Sequence, residues 1–463
     1  MAGINRLRKS PESMLTEPPL KSIFFFGLPI LFGNVFQQLY SMVDSIVVGN
    51  FVGTGALAAV GSSATVCSML LMACWGFSNG ASIVIAQLFG AGKRKEIKTT
   101  ISTTLIFSVI FAICMSIASW WLLPVIARLI NIPDDIIADA ITYMRIYGMG
   151  LVFLMLYNFF AGVLRALGDS VTPLIFLIIS SLLNIVGDLF FVVNLHMGVA
   201  GVAIATDLAQ AISVILCVIY VSRKSEYFRF KKGEFRFSGE LFRLVMRMGI
   251  PSAIQGSVSH LGFILVQRLV NSFSTVNIAA YTAANKMESF SMLPVSGFTQ
   301  AFAVYAGQNI GAGDFERTKD GMKKTIIFLT ALCFAVSGLI YVIGPQLIGM
   351  FVDDSETVVI SRGAAYLRAF CPFLVFHALM QIFSSLLRGA GDSVMTMISS
   401  FVDLGVRTLM AYALSLWLNL GFMGCAWAIP CGWFCAMMFS FIRYKSGKWK
   451  NKAVAGKTAE EPA

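Results

Sequence analysis

Gly76-Phe77-Ser78-Asn79-Gly80, followed by Gln87-Leu88-Phe89-Gly90-Ala91-Gly92, comes back later in the chain. It returns as Gly297-Phe298-Thr299-Gln300-Ala301 and Gln308-Asn309-Ile310-Gly311-Ala312-Gly313. Leu164-Arg165-Ala166-Leu167-Gly168-Asp169-Ser170 returns as Leu387-Arg388-Gly389-Ala390-Gly391-Asp392-Ser393, and Gly27-Leu28-Pro29 as Gly249-Ile250-Pro251. The displacements barely drift: 222 from Gly27, 221 from Gly76 and 223 from Leu164. A repeat therefore covers almost the whole chain, and its halves meet near residue 235. In a membrane chain such symmetry is the mark of a transporter with its pathway between two halves.

The composition is that of a membrane chain. Hydrophobic residues make up 57% and charged residues 13%, against about 25% charged in a soluble domain. Mean hydropathy is +0.78. About twelve apolar stretches are read, each long enough to cross roughly 30 Å of hydrocarbon as a helix. They lie near 23–50, 56–86, 98–123, 137–161, 171–194, 198–221, 245–272, 277–307, 322–344, 361–386, 394–418 and 421–443. The expected architecture is all-α, with two six-helix bundles. Six spans per half bring the second half into the membrane in the same orientation as the first, a parallel repeat. The expected divisions are a cytoplasmic segment 1–22, an N-terminal lobe 23–221, a linker 222–244, a C-terminal lobe 245–443 and a tail 444–463.

The net charge of +11 could suggest nucleic acid, but its placement does not. Basic residues sit at Arg6, Arg8, Lys9 and Lys21, at Lys93, Arg94, Lys95 and Lys98, and densely from Arg223 to Arg247. They return at Lys319, Lys323 and Lys324 and in the tail from Arg443 to Lys457. The alternate loops carry Asp134, Asp135 and Asp139, then Asp353, Asp354 and Glu356. This is the positive-inside pattern, with both termini in the cytoplasm. It makes anionic lipid headgroups the expected neighbours of the basic side and excludes a nucleic-acid role. The first 22 residues have no apolar core, so the first span itself would direct insertion. Cys67, Cys74, Cys114, Cys217 and Cys333 fall inside spans and read as small packing residues rather than a disulfide framework. Cys425, Cys431 and Cys435 lack the paired spacing of a zinc site.

Polar side chains inside spans are costly and need partners or a function. In the first span Asn34, Gln37, Ser41 and Asp44 form one stripe of a helix face, with Tyr40 beside it. In the fifth, Ser181, Asn184 and Asp188 do the same; in the sixth, Thr206, Asp207 and Gln210 interrupt an apolar run. The repeat allows a subtraction. Asp44 faces Val266 in the second half, and Asp188 faces Ala411. The fold therefore does not require an acid at either place, which favours function over helix bridging. A carboxyl in a low-dielectric site can carry a proton, or can hold Na⁺ together with the oxygens of Asn184 and Thr206. The second half has its own charges. Asp403 and Arg407, four apart, form an internal ion pair. Lys286 and Glu288, two apart, cannot face one another, which leaves Glu288 as a cavity candidate. His260 and His377 read as satisfied core histidines.

At this point a family is recognisable. Phe36-Gln37-Gln38-Leu39-Tyr40-Ser41-Met42-Val43-Asp44-Ser45-Ile46-Val47-Val48-Gly49, followed by Ala56-Leu57-Ala58-Ala59-Val60-Gly61, resembles the opening of the multidrug and toxic compound extrusion (MATE) family. The Gln87 to Gly92 and Leu164 to Asp169 segments resemble it too, and the likeness runs over roughly residues 20–445. It implies two six-helix lobes around a V-shaped central cavity. It also implies export of cationic or amphipathic compounds, drugs or toxic organic cations, in exchange for H⁺ or Na⁺ and without a further cofactor. Asp44 matches the family's first-helix acid, Asn184 and Asp188 its fifth-helix pair, and Thr206 a sixth-helix hydroxyl of the same cluster. Gln37, Tyr40 and Asn34 would face the substrate, as would Gln255, Ser259 and Glu288 in the second half. Other members carry acids in the seventh and tenth helices. Here the seventh shows Gln255, Ser259 and His260, and the tenth His377 and Gln381, so the chain resembles the DinF-like branch that couples through the N-terminal lobe. The implied setting is the cytoplasmic membrane, with the chain acting as a monomer.

The remaining classes fare worse. A lipid-linked oligosaccharide flippase shares the wider architecture, but its pyrophosphate calls for a more cationic cavity than acids at 44 and 188 provide. Gly456-Lys457-Thr458 ends like a phosphate-binding loop, yet Asn451 stands where its first glycine belongs. No HExxH or Gly-x-Ser-x-Gly motif argues for an enzyme.

Overall fold

The computed structural model describes residue 10, residues 12–352 and residues 355–454. Arg6, Arg8, Lys9, Asp353, Asp354 and the Gly456-Lys457-Thr458 tail lie outside the described residues, as does the side chain of His260. Among the described residues the chain is helical, without strands. The first half runs α1 (Pro19–Val47), α2 (Thr54–Gly90), α3 (Arg94–Leu129), α4 (Ile137–Met149, then Leu151–Ala166), α5 (Val171–Asp188) and α6 (Gly198–Lys224). The second runs α7 (Gly239–Val270), α8 (Thr275–Gly311), α9 (Phe315–Gly349), α10 (Thr357–Phe370, then Leu374–Gly389), α11 (Ser393–Tyr412) and α12 (Phe422–Lys445).

Ten of these rods are long and apolar enough to cross a membrane, and α4 is the eleventh when its pieces, bent by 47°, count as one. Among the described rods, α8 falls short of that apolarity because it carries Asn277, Asn285, Lys286, Glu288 and Gln300. The repeat identifies it instead: α2 and α8 are each 37 residues long and start 221 positions apart. The protein is an all-α, multi-pass membrane protein. Large apolar side chains face outward in number, among them Trp121, Leu122, Val342 and Leu409. In water that surface would be untenable; in lipid it is the solvated face.

The repeat extends to backbone and contacts. The loop after α4 turns through Gly168 at φ +91°, and the loop after α10 through Gly391 at φ +86°. Only glycine takes such angles without strain. His196 and Asn419, 223 apart, share a left-handed φ of +53° and +55°. Asp169 caps α5, accepting from the backbone N–H of Thr172 at 2.9 Å and from its hydroxyl at 2.6 Å, as the Gly-Asp loop predicts. It also accepts from the Val171 N–H and from the Tyr220 hydroxyl, each at 3.2 Å. In the second half Asp392 reaches the matching position on the last helix, where Arg443 donates from Nε at 2.7 Å.

By contacts the chain forms two compact units, one of Phe32–Ala253 and one of Ser13–Leu31 with the described residues from Ile254 onward. The first third of α1 thus belongs with the second unit and the start of α7 with the first. The close packing is reciprocal. A β-carbon at Gly297 would lie 2.9 Å from Leu31 Cα, and one at Gly76 would lie 2.4 Å from Ala253 Cα, 222 positions further on. Phe24 stacks on Phe298 with ring centroids 5.6 Å apart, and Phe298 meets Phe328 edge-on at 4.9 Å. Phe77 and Phe107 repeat that edge contact at 5.3 Å in the first unit.

Three rods end in a wider, π-helical turn: α1 at Val48–Val52, α5 at Leu189–Asn194 and α11 at Ala413–Trp417. Such turns disrupt the regular ladder and gather at functional sites.

Candidate functional site

In the first unit, α1, α5 and α6 bring the sequence candidates together. Asp188 is the last residue of α5 before its π turn and is fully buried. Asp44 lies half-buried one turn before the π turn of α1. The π turns that follow the two acids pack against one another and against α6. Neither Asp188 oxygen meets a donor, nor does Asp44 Oδ1. A fully buried carboxyl such as Asp188 with no donor is costly unless it holds a proton or meets a cation. Beside them, Asn184 donates from Nδ2 to Thr206 Oγ1 at 3.2 Å, and Thr206 donates in turn to the Val202 carbonyl at 3.1 Å. Asn184 Oδ1 has no partner, so a buried acceptor remains next to the acid pair. This oxygen-rich, donor-poor set suits a small cation and suits nothing anionic.

Asn34 and Gln37 share the α1 stripe, but among the described residues no hydrogen bond ties either to the cluster. Asn34 Nδ2 is buried and unpartnered, whereas Gln37 is exposed. Asp207 sits on the opposite flank against the break in α4, where a β-carbon at Gly150 would fall 1.8 Å from its Oδ1.

Gln255, Ser259 and Glu288 form a separate group in the second unit. They line a cavity of about 200 Å³ between α7, α8, α10, α11 and α12, together with His377, Asp403, Arg407 and Trp433. The sequence-expected pair is present, Arg407 Nη2 lying 3.1 Å from Asp403 Oδ2. The Arg407 guanidinium also lies over the Trp433 ring, 5.9 Å from its centroid. Thr396 donates to Gln255 Oε1 at 3.4 Å. Glu288 is 3% exposed and its Oε1 is unpartnered. Lys286 points away, its ammonium over Phe351. His377 departs from the sequence reading: it is buried against Trp433, but its Nδ1 has no partner.

Sequence reasoning placed the acids but missed this cavity's other wall. The signal was available by running the repeat backwards. Arg407 stands 223 positions after Asn184, and Trp433 223 positions after Gln210, so the second half places a guanidinium and an indole where the first has amides.

The protein is thus an all-α, internally repeated membrane protein with acids inside its spans in both halves, Asp44 and Asp188 in the first and Glu288 and Asp403 in the second. The MatE family model matches the chain twice, over residues 29–190 and 251–413, the two repeat halves. The chain belongs to the MatE family. Among its relatives is the Probable multidrug resistance protein YoeA of Bacillus subtilis, 28% identical over 97% of this chain and 99% of that one. The Probable multidrug resistance protein NorM of Thermotoga maritima is 26% identical over 94% of both chains. A solved MATE structure in complex with MaL6 superposes with a TM-score of 0.90 at 23% identity, over 96% of this chain and all of that one, and shares its fold.

Proposed function

We propose that the protein is a multidrug efflux antiporter of the cytoplasmic membrane, exporting cationic or amphipathic compounds in exchange for H⁺ or Na⁺. Its termini face the cytoplasm. The observation that carries the reading is the fully buried Asp188 carboxyl without a donor, at the π turn that packs on the one following Asp44. An inward-moving proton or Na⁺ joins the two carboxyls, with Asn184 Oδ1 and Thr206 Oγ1 as further oxygens. When the site is empty the carboxyls repel one another, and a cationic substrate is the alternative counter-charge. Competition of ion and substrate for the same negative charge is sufficient for exchange. Rocking of the two halves about the site then alternates its access. The membrane potential adds roughly 2.3 kcal/mol per charge per 100 mV for each net charge moved inward. The names of the relatives support drug-like substrates, and Asn34, Gln37, Tyr40, Gln255, Ser259 and Glu288 are the polar groups offered to them. Acids inside the membrane in α1 and α5, and none at mid-membrane in α7 or α10, support membership of the branch that couples through the N-terminal lobe.

The test is proton counting. Adding ethidium to purified wild-type protein in weakly buffered solution should release protons, or displace bound Na⁺. Asp188→Asn should bind ethidium with no such release. Equal release from both proteins would place the competing ion elsewhere.

A further inference from the structure

The linker between α6 and α7 is not a free tether. Lys98 on α3 donates to Glu234 Oε2 at 2.8 Å and to the Arg229 carbonyl at 2.8 Å. Ser102 donates to the Arg236 carbonyl at 2.7 Å, and Thr103 Oγ1 accepts from the Ser238 N–H at 3.0 Å. Arg94 takes the linker's other acid, Glu226, at 3.3 Å. Both linker acids are thus consumed by basic residues of α3. The cations of the linker, Arg229, Lys231, Lys232 and Arg236, and of the last turn of α6, Arg223 and Lys224, are all exposed. Among the described residues none is within ion-pair distance of a carboxylate. A pinned segment therefore presents a run of uncompensated positive charge.

Phe235 lies between two of these anchors and is half-exposed. It forms one wall of a groove of about 400 Å³, whose other walls come from α3, α4 and α6 and include Ile106, Ile110, Leu156, Phe160 and Val218. Every lining residue is apolar. The volume lies within the roughly 300–1,000 Å³ range of sites that hold small ligands. The repeat shows that the groove is not a requirement of the fold. Phe160 corresponds to Phe383, and Val218 to Phe441. In the second unit Phe383 packs against Phe441 at 5.4 Å and against Tyr444 at 5.7 Å. Where the second half puts a ring, the first has Val218, 44% exposed.

We propose that the first unit holds one anionic phospholipid, an acyl chain in the groove and the phosphate on the linker cations. The charge chooses the occupant. An apolar slot alone would accept any lipid, but the exposed cations of the segment that carries Phe235 into its wall favour a headgroup with net negative charge. The bound lipid would join the linker to the face of α3, α4 and α6. The site is independent of the transport reading.

Native mass spectrometry of the full-length protein in mild detergent, with phosphatidylglycerol and phosphatidylcholine added in equal amounts, tests this. Wild type should retain one phosphatidylglycerol in preference to phosphatidylcholine by about fivefold or more. Val218→Phe, which installs the ring the second half carries, should lose the bound lipid. Phe235→Ser, which removes the linker wall without touching a helix, should lose it too. The triple variant Lys231→Gln, Lys232→Gln, Arg236→Gln should keep a lipid and lose the headgroup preference. Equal retention of the two lipids by wild type, or unchanged retention in both groove variants, would overturn the proposal.

Discussion

Replacing Arg407 with Met should be among the most damaging single changes in the second unit. Arg407 and Asp403 are 3.1 Å apart with side chains only 15% and 20% exposed, and the unpartnered Glu288 shares their cavity. At an effective dielectric constant near 20, two charges at that separation attract by about 5 kcal/mol. The cost of taking both out of water offsets much of this, so the pair itself is close to neutral. Breaking it is not. Removing the guanidinium leaves Asp403 and Glu288 in one closed space with no counter-charge, at a cost of roughly 3–5 kcal/mol. For a unit of some 200 residues this lowers the apparent Tm by roughly 6–20 °C. Asp403→Leu should cost a similar amount by stranding Arg407. The double variant Asp403→Leu, Arg407→Met should recover most of the loss, since no charge is then stranded. Thermal unfolding of the four proteins in detergent gives the cycle. Costs that simply add would refute the reasoning, as would an unchanged Tm for Arg407→Met alone.

Three smaller predictions follow from the packing. Gly76→Val should destabilise by about 1–3 kcal/mol or more, because its β-carbon would meet the Ala253 backbone at 2.4 Å, and a lowered Tm checks it. Asp169→Ala should cost about 1 kcal/mol through loss of the α5 cap, again read as Tm, with Ser170→Ala as the neutral neighbour. The linker should loosen in acid. The Lys231 backbone N–H, and then the Lys98 ammonium, hold Glu234 below the ordinary glutamate range. Its contribution is therefore complete above the ordinary value of about 4.3 and is lost as pH falls through the lowered one. A nitroxide on Lys232→Cys in a Cys114→Ser background should be immobile at pH 7 and mobile well below pH 4, and with Glu234→Gln added it should be mobile at both.

How far the sequence carried depends on what kind of signal each feature leaves. Apolar stretches placed the spans, 277–307 among them, and displacements of 221 to 223 residues paired them across the halves, including α8, which Lys286 and Glu288 make the less apolar. The Asp403–Arg407 pair was legible because four residues on one helix fix the geometry. Asp44, Asp188, Asn184 and Thr206 were found by subtraction of the halves and by resemblance, and the structure brings them together. Other features depend on packing between distant segments and leave no local signal. The exchange of the ends of α1 and α7 between the units is one, and the seat of Asp207 against Gly150 another. The π turns after Val47 and Asp188 were also invisible, since no composition distinguishes a π turn from the helix it ends. His377 was read as a satisfied core residue because burial can be inferred from sequence whereas the absence of a partner cannot.

The central claim is that Asp44 and Asp188 form the coupling site. Its most direct test is transport of ethidium or norfloxacin in everted vesicles under an imposed proton or Na⁺ gradient, comparing wild type with Asp44→Asn and Asp188→Asn at matched expression. The account predicts gradient-driven transport by wild type, with the effective gradient naming the ion, and its loss in both variants. Normal gradient-driven transport by both variants would contradict it and make Glu288 the first residue to test in their place.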